Sequence, residues 1–310
     1  MKLYFTDKEK MDRSDELRKK DLKKPPPKAS SIFRREMDNS FANTKRFLQN
    51  LLRNIEITHA KVGQSFDYPH GIIANKIYLD YGIFMNYFIR KYLSNLYQTD
   101  LEDIAVEVVL KKPDVYFKDR NLKQYISDHY QIFRNPQKNA MDILKSIKTV
   151  SLAYSATYDE EKVRKIKIDS EDKMLLEVIK YFESLPFKDV YLTPNVDCEY
   201  FRAVPDFIFD NGKERVLYNI KTSKYETLEG DADDFSPENF YILIAYAFAC
   251  YKKKNGEETI NTFVIYNPLL GYEHKIVLKN IDFKEFERCI ESDYLKKYGQ
   301  YWRQSPPERW

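Results

Sequence analysis

The chain has 310 residues, 43% of them hydrophobic, enough for one large domain or for a core with a substantial added region. Lys and Arg number 51 against 48 acids, so the net charge of +3 does not by itself point to a nucleic-acid partner. Cys198, Cys250 and Cys289 stand far apart with no CxxC pair, which argues against a disulfide framework and a cysteine-held metal centre, while the lack of an apolar run of about 18 residues and the charged start MKLYFTDKEK argue against a membrane partner and a signal peptide.

A cytoplasmic setting is expected, the cell's own or, for a virus-associated protein, that of its host. Residues 1–40 form a basic, proline-containing tail in which LRKKDLKKPPPKASSIFRRE offers little to bury. Such an arm suits a solvated tail, a nucleic-acid backbone or a neighbouring subunit. From 41 to 155 the pattern is mostly helical. Its core helix at 75–97, NKIYLDYGIFMNYFIRKYLSNLY, carries Ile77, Tyr81, Phe84, Phe88 and Tyr92 on one stripe and Ile83, Ile89 and Leu93 opposite, so it is apolar nearly all round and expected to be buried.

Residues 156–300 change period. A helix at 171–185 precedes strands at 188–193, 198–209 and 215–222, the last two joined by DNGKE, where Asn211-Gly212 supplies positive φ. The acid-rich loop LEGDADD leads to a helix capped by Ser236, with Pro237 at its first position and Glu238 in its first turn. Strands at 261–267 and 273–278 and a helix at 282–297 follow, and residues 301–310 form a C-terminal tail. This order predicts an α/β fold, a mixed central sheet flanked by helices, with an N-terminal helical region.

Antiparallel pairing about the turn sets Asp206 opposite residue 217 or 219. In both registers Asp206, Asn219 and Lys221 share a face. A carboxylate and an amide oxygen suit a hard divalent cation, and the ammonium suits a charged substrate.

VPDFIF…VLYNIKTSK resembles the PD-(D/E)XK nuclease superfamily, specifically its RecB-like exonuclease branch, where a strand ending in PD precedes one reading DxKT. Two flanking helices echo that branch. GIFMNYFIRKYL is similar to its GxxxH helix from Gly82, with Asn86 at the histidine position, and ILIAYAFA to its QxxxYA helix, with Ile242 at the glutamine position and Tyr246 at the tyrosine. The resemblance covers about residues 75–97 and 185–267. It implies a restriction-endonuclease-like core and Mg2+- or Mn2+-dependent hydrolysis of DNA phosphodiesters, in recombination, repair or a phage or mobile element. The metal would lie on Asp206, residue 219, the Ile220 carbonyl and Asn86; Lys221 would orient water or offset charge on phosphorus, and Tyr246 would pack beside the site.

Three polar positions depart from that pattern: Asn219 replaces the acid, Asn86 the histidine and Ile242 the glutamine. Asn219 lowers metal affinity and hydroxide generation. It fits an engineered Asp-to-Asn change or a site that has decayed to binding. Glu199, Asp231, Asp233 and Asp234 are candidate compensating acids. The rival function is a nuclease-like protein without catalysis, a DNA-binding or assembly component, viral structural proteins included, with residues 1–40 and the C-terminal tail bearing Trp302 and Trp310 as its contacts with DNA or a protein partner. GDADD lacks the glycine and distal glutamate of a calcium loop. His59, His70, His129 and His274 have no ligand spacing, and Tyr200 and Phe201 suit a core as well as base stacking.

Overall fold

The structure, a computed structural model, describes residues 28–33, 40–66, 77–101, 104–113, 117, 120–153, 172–194, 196–222, 237–256 and 259–298. The chain is a mixed α/β protein built on a six-stranded sheet of order β1-β6-β5-β4-β3-β2. Its strands are β1 Glu56–Lys61, β2 Asp189–Leu192, β3 Phe207–Asp210, β4 Arg215–Ile220, β5 Thr262–Asn267 and β6 Tyr272–Val277. Its longer helices are α1 Ala42–Leu52, α2 Ile77–Tyr97, α3 Ile104–Leu110, α4 Arg120–Arg134, α5 Leu144–Ser151, α6 Asp172–Glu183, α7 Pro237–Lys253 and α8 Phe283–Tyr298. No helix among the described residues is long and apolar enough to cross a membrane.

Strand periodicity divides the core in two. Phe207, Phe209, Val216, Tyr218, Val264 and Tyr266 face helices α2 to α6, while Ile208, Leu217, Phe263 and Ile265 face α1, α7 and α8. The β4–β5 pair is parallel and central, and β5 is buried at every position, as expected of strands covered on both faces. The other pairings are antiparallel.

The β3–β4 hairpin forms as its sequence predicts. Gly212 takes φ +83°, and Asn211 Oδ1 accepts from the backbone N–H groups of Lys213 and Glu214, both at 2.9 Å. The strand expected at 198–209 is shorter. Residues 196–203 turn back on themselves, Val196 N donating to Ala203 O and Cys198 N to Phe201 O, and Pro205 has no N–H to give a ladder. In that loop Tyr200 and Phe201 are buried, the latter edge-on to Phe33 at 5.6 Å, so neither ring is open to a base.

Two features lie outside the sequence reading. β1 falls in the stretch read as mostly helical; it is an edge strand with Ile57 packed inward and Glu56, Thr58, His59 and Lys61 exposed, too polar to signal itself. Residues 28–33, within the segment read as a tail, lie on the core: Lys28 bridges Arg202, and Ala29, Ile32 and Phe33 are buried. Residues 1–27, His70, Asp231, Asp233, Asp234, Ser236, Trp302 and Trp310 lie outside the described residues.

Candidate functional site

The site forms where the end of β4 meets α2 and α7. The hairpin register pairs Phe207 with Tyr218, which places Asp206 opposite Asn219 one step further on, the second of the two registers expected. β4 runs on past Ile220, with Lys221 N donating to Tyr266 O at 2.9 Å. By the period-two rule Lys221 returns to the face of Asn219.

A cavity of about 480 Å³ gathers the expected residues from four separate segments: Asn86 of α2, Asp206 before β3, Asn219, Ile220 and Lys221 of β4, and Tyr246 of α7. Gly82 and Ile242, the other two motif positions, line it as well, with Ser30, Ile83, Tyr87 and Thr222. The glycine at 82 has a steric reason. A Cβ there would stand 2.7 Å from Thr222 Oγ1, so any larger residue requires that side chain to shift. An interior Gly→Ala change ordinarily stabilises a helix by up to about 1 kcal/mol. Here Gly82→Ala is expected to lower stability by about 1 kcal/mol, because overpacking outweighs the propensity gain. A urea midpoint unchanged or raised relative to wild type would show that Thr222 yields freely.

Asp206 is held from two sides. Its Oδ1 accepts from the Asn86 amide at 2.9 Å and its Oδ2 from the Ile220 N–H at 2.8 Å. Burial pushes its carboxyl above the ordinary carboxylate range, opposed by the Ile220 N–H, the Lys221 charge, the Asn86 amide and the Arg90 charge. Arg90 was missed from sequence. It lies one helical turn beyond Asn86 and is 4% exposed, with its guanidinium 4.9 Å from the Tyr87 ring. The i, i+4 spacing from Asn86 was the available signal. Asn219 is 6% exposed and lines the cavity.

The remaining candidates lie elsewhere. Glu199 pairs with Lys252 at 2.9 Å and is absent from the cavity wall. His129 bonds Ser146 Oγ at 2.8 Å, and the three cysteines are free thiols.

Mg2+ is ordinarily held by one or two carboxylates together with substrate phosphates. Here one carboxylate, both of whose oxygens already accept protein donors, is set against the charges of Lys221 and Arg90. No group of three or more His, Cys, Asp and Glu assembles among the described residues. These residues do not fit a resident Mg2+ or Mn2+. They suit an anion better, since the Lys221 ammonium and the Asn219 amide line the cavity and the buried Arg90 adds its charge from behind Asp206. Comparison of the chain with protein-family models, with curated proteins and with solved structures gives no match.

Proposed function

We propose that this is a DNA-binding protein on a scaffold of the PD-(D/E)XK nuclease type, whose pocket receives a backbone phosphate and, with asparagine at 219, holds no catalytic metal ion. The observation that supports this reading is the convergence of Asn86, Asp206, Asn219, Lys221 and Tyr246 on one cavity. Lys221 supplies the charge for a phosphate oxygen, and the Asn219 amide a neutral donor. Asp206 holds the Asn86 side chain and the Ile220 backbone in place rather than serving as half of an acidic metal cage.

The experiment has two arms on the same labelled linear duplex and single-stranded DNA. Binding is measured against salt for the wild type and Lys221→Ala. The expected result is a loss of about fivefold or more in affinity and a salt slope smaller by about 1 for the variant. Cleavage is measured in Mn2+ for the wild type, Asn219→Asp and Asn219→Asp with Lys221→Ala. Cleavage is expected to be absent from the wild type, to appear in the single variant once a second carboxylate is supplied, and to vanish in the double. DNA affinity indifferent to Lys221, with no cleavage by any protein, would overturn the pocket as a phosphodiester site. Full wild-type cleavage that Asn219→Asp does not raise would make it a working nuclease as it stands.

A further inference from the structure

On the far side of the sheet from β3, the edge strand β1 is paired with β6, and His59 stands directly opposite His274 in that register. Their Nδ1 atoms are 2.5 Å apart, and the rings meet edge to face at 82° with centroids 4.7 Å apart. Two lone pairs do not approach in this way. At this distance one ring donates its Nδ1–H and the other accepts, so the two Nδ1 atoms face each other across the strand pair.

We propose that His59 and His274 form a two-nitrogen chelate for a borderline transition-metal ion, Zn2+, Ni2+ or Cu2+, which clips the edge strand β1 to β6. An ion with metal–nitrogen bonds of about 2.0–2.1 Å and a bond angle near tetrahedral or square needs its two nitrogens about 3 Å apart. The rings must part by at least about half an ångström and turn so that both Nδ1 lone pairs meet at the ion, which then takes the place of the shared proton; that proton passes through water to the Nε2 of the ring that donated it, so both imidazoles stay neutral. Imidazole suits these three ions. His59 is exposed while His274 is 7% exposed, so one ligand is anchored in the sheet and the other leaves the remaining coordination positions to water. The pair is two strands away from β4, since Asn219 aligns with Ile265 and Ile265 with His274, so this site stands or falls independently of the DNA-binding pocket.

The test uses the tag-free full-length chain. Zn2+ is titrated calorimetrically into the wild type, His59→Ala and His274→Asn, and Cu2+ is followed by electron paramagnetic resonance. The expected result is one ion per chain, a two-nitrogen copper signature, a Tm raised by Zn2+, and affinity about tenfold or more weaker in each variant. Slower amide exchange in β1 on adding Zn2+ would accompany it. Wild-type affinity and nitrogen count retained in His59→Ala, or no saturable binding by the wild type, would overturn the proposal. His59 is exposed, so its variant decides the matter even if His274→Asn does not fold.

Discussion

Phe182→Ala is expected to lose about 3–5 kcal/mol of folding free energy. Phe182 on α6 is 1% exposed. Its ring is stacked on Phe209 at 6.0 Å and edge-on to Tyr266 at 5.7 Å and Phe207 at 6.4 Å, with Tyr218 tilted at 6.5 Å. These neighbours come from three strands, so collapse into the vacated space would require β3, β4 and β5 to move together, and the cavity would persist. β3 and β4 also place Asp206 opposite Asn219, so the loss should be felt in the cavity they line although Phe182 is on the opposite face. Phe182→Leu, which keeps more of the volume, is expected to lose less than half as much. Urea unfolding of the three proteins checks the order; a loss below about 1 kcal/mol for the alanine variant would show that the ring is not the packing centre described.

The second large effect depends on pH. Lys91 of α2 is fully buried, and its ammonium donates to the Asn135 carbonyl at 2.7 Å, just past the last residue of α4. A cation there meets the negative end of that helix. Desolvation nonetheless dominates and lowers the lysine from 10.5 to about 8. Between those two values the unfolded chain binds more protons than the folded one, so the contribution of this group to stability rises as pH increases from 8 to 10.5. The full difference is about 3 kcal/mol, and it is present as a penalty below pH 8, where the buried ammonium is charged. Lys91→Met removes the penalty and loses one hydrogen bond of about 1 kcal/mol, so it is expected to gain about 2 kcal/mol at pH 7. Urea midpoints from pH 7 to 10 check the sign: the wild type should gain on the variant as pH rises, and a difference independent of pH would contradict it.

Neither effect was visible in the sequence. Lys91 follows Arg90 on a helix that reads as apolar nearly all round, and which of its polar residues faces a helix end is settled by how α2 lies against α4. Phe182 was legible as one of three residues, with Met174 and Val178, on a helix face. That it meets rings from three strands was not. The capping of α1 shows the same limit. Its first turn has no local side-chain cap, and the N–H and hydroxyl of Thr44 are instead received by Asp293 of α8, both at 2.8 Å, some 249 positions away in the chain.

What the sequence determined by itself was local and periodic. Asn211-Gly212 set the turn and left two registers, and in both of them alternation places Asp206, Asn219 and Lys221 on one face without reference to the rest of the chain; the structure selects the register with Asp206 opposite Asn219. The buried character of α2 and the start of α7 at Pro237 followed from composition and spacing in the same way. The tertiary structure decided what those residues meet: Asn86 and Arg90 at the Asp206 carboxylate, Thr222 against Gly82, Ser30 on the cavity wall and His59 against His274. Strand alternation acts through neighbouring residues of one chain segment, whereas each of these contacts depends on the packing of elements distant in sequence, which sums many weak terms that no single stretch contains.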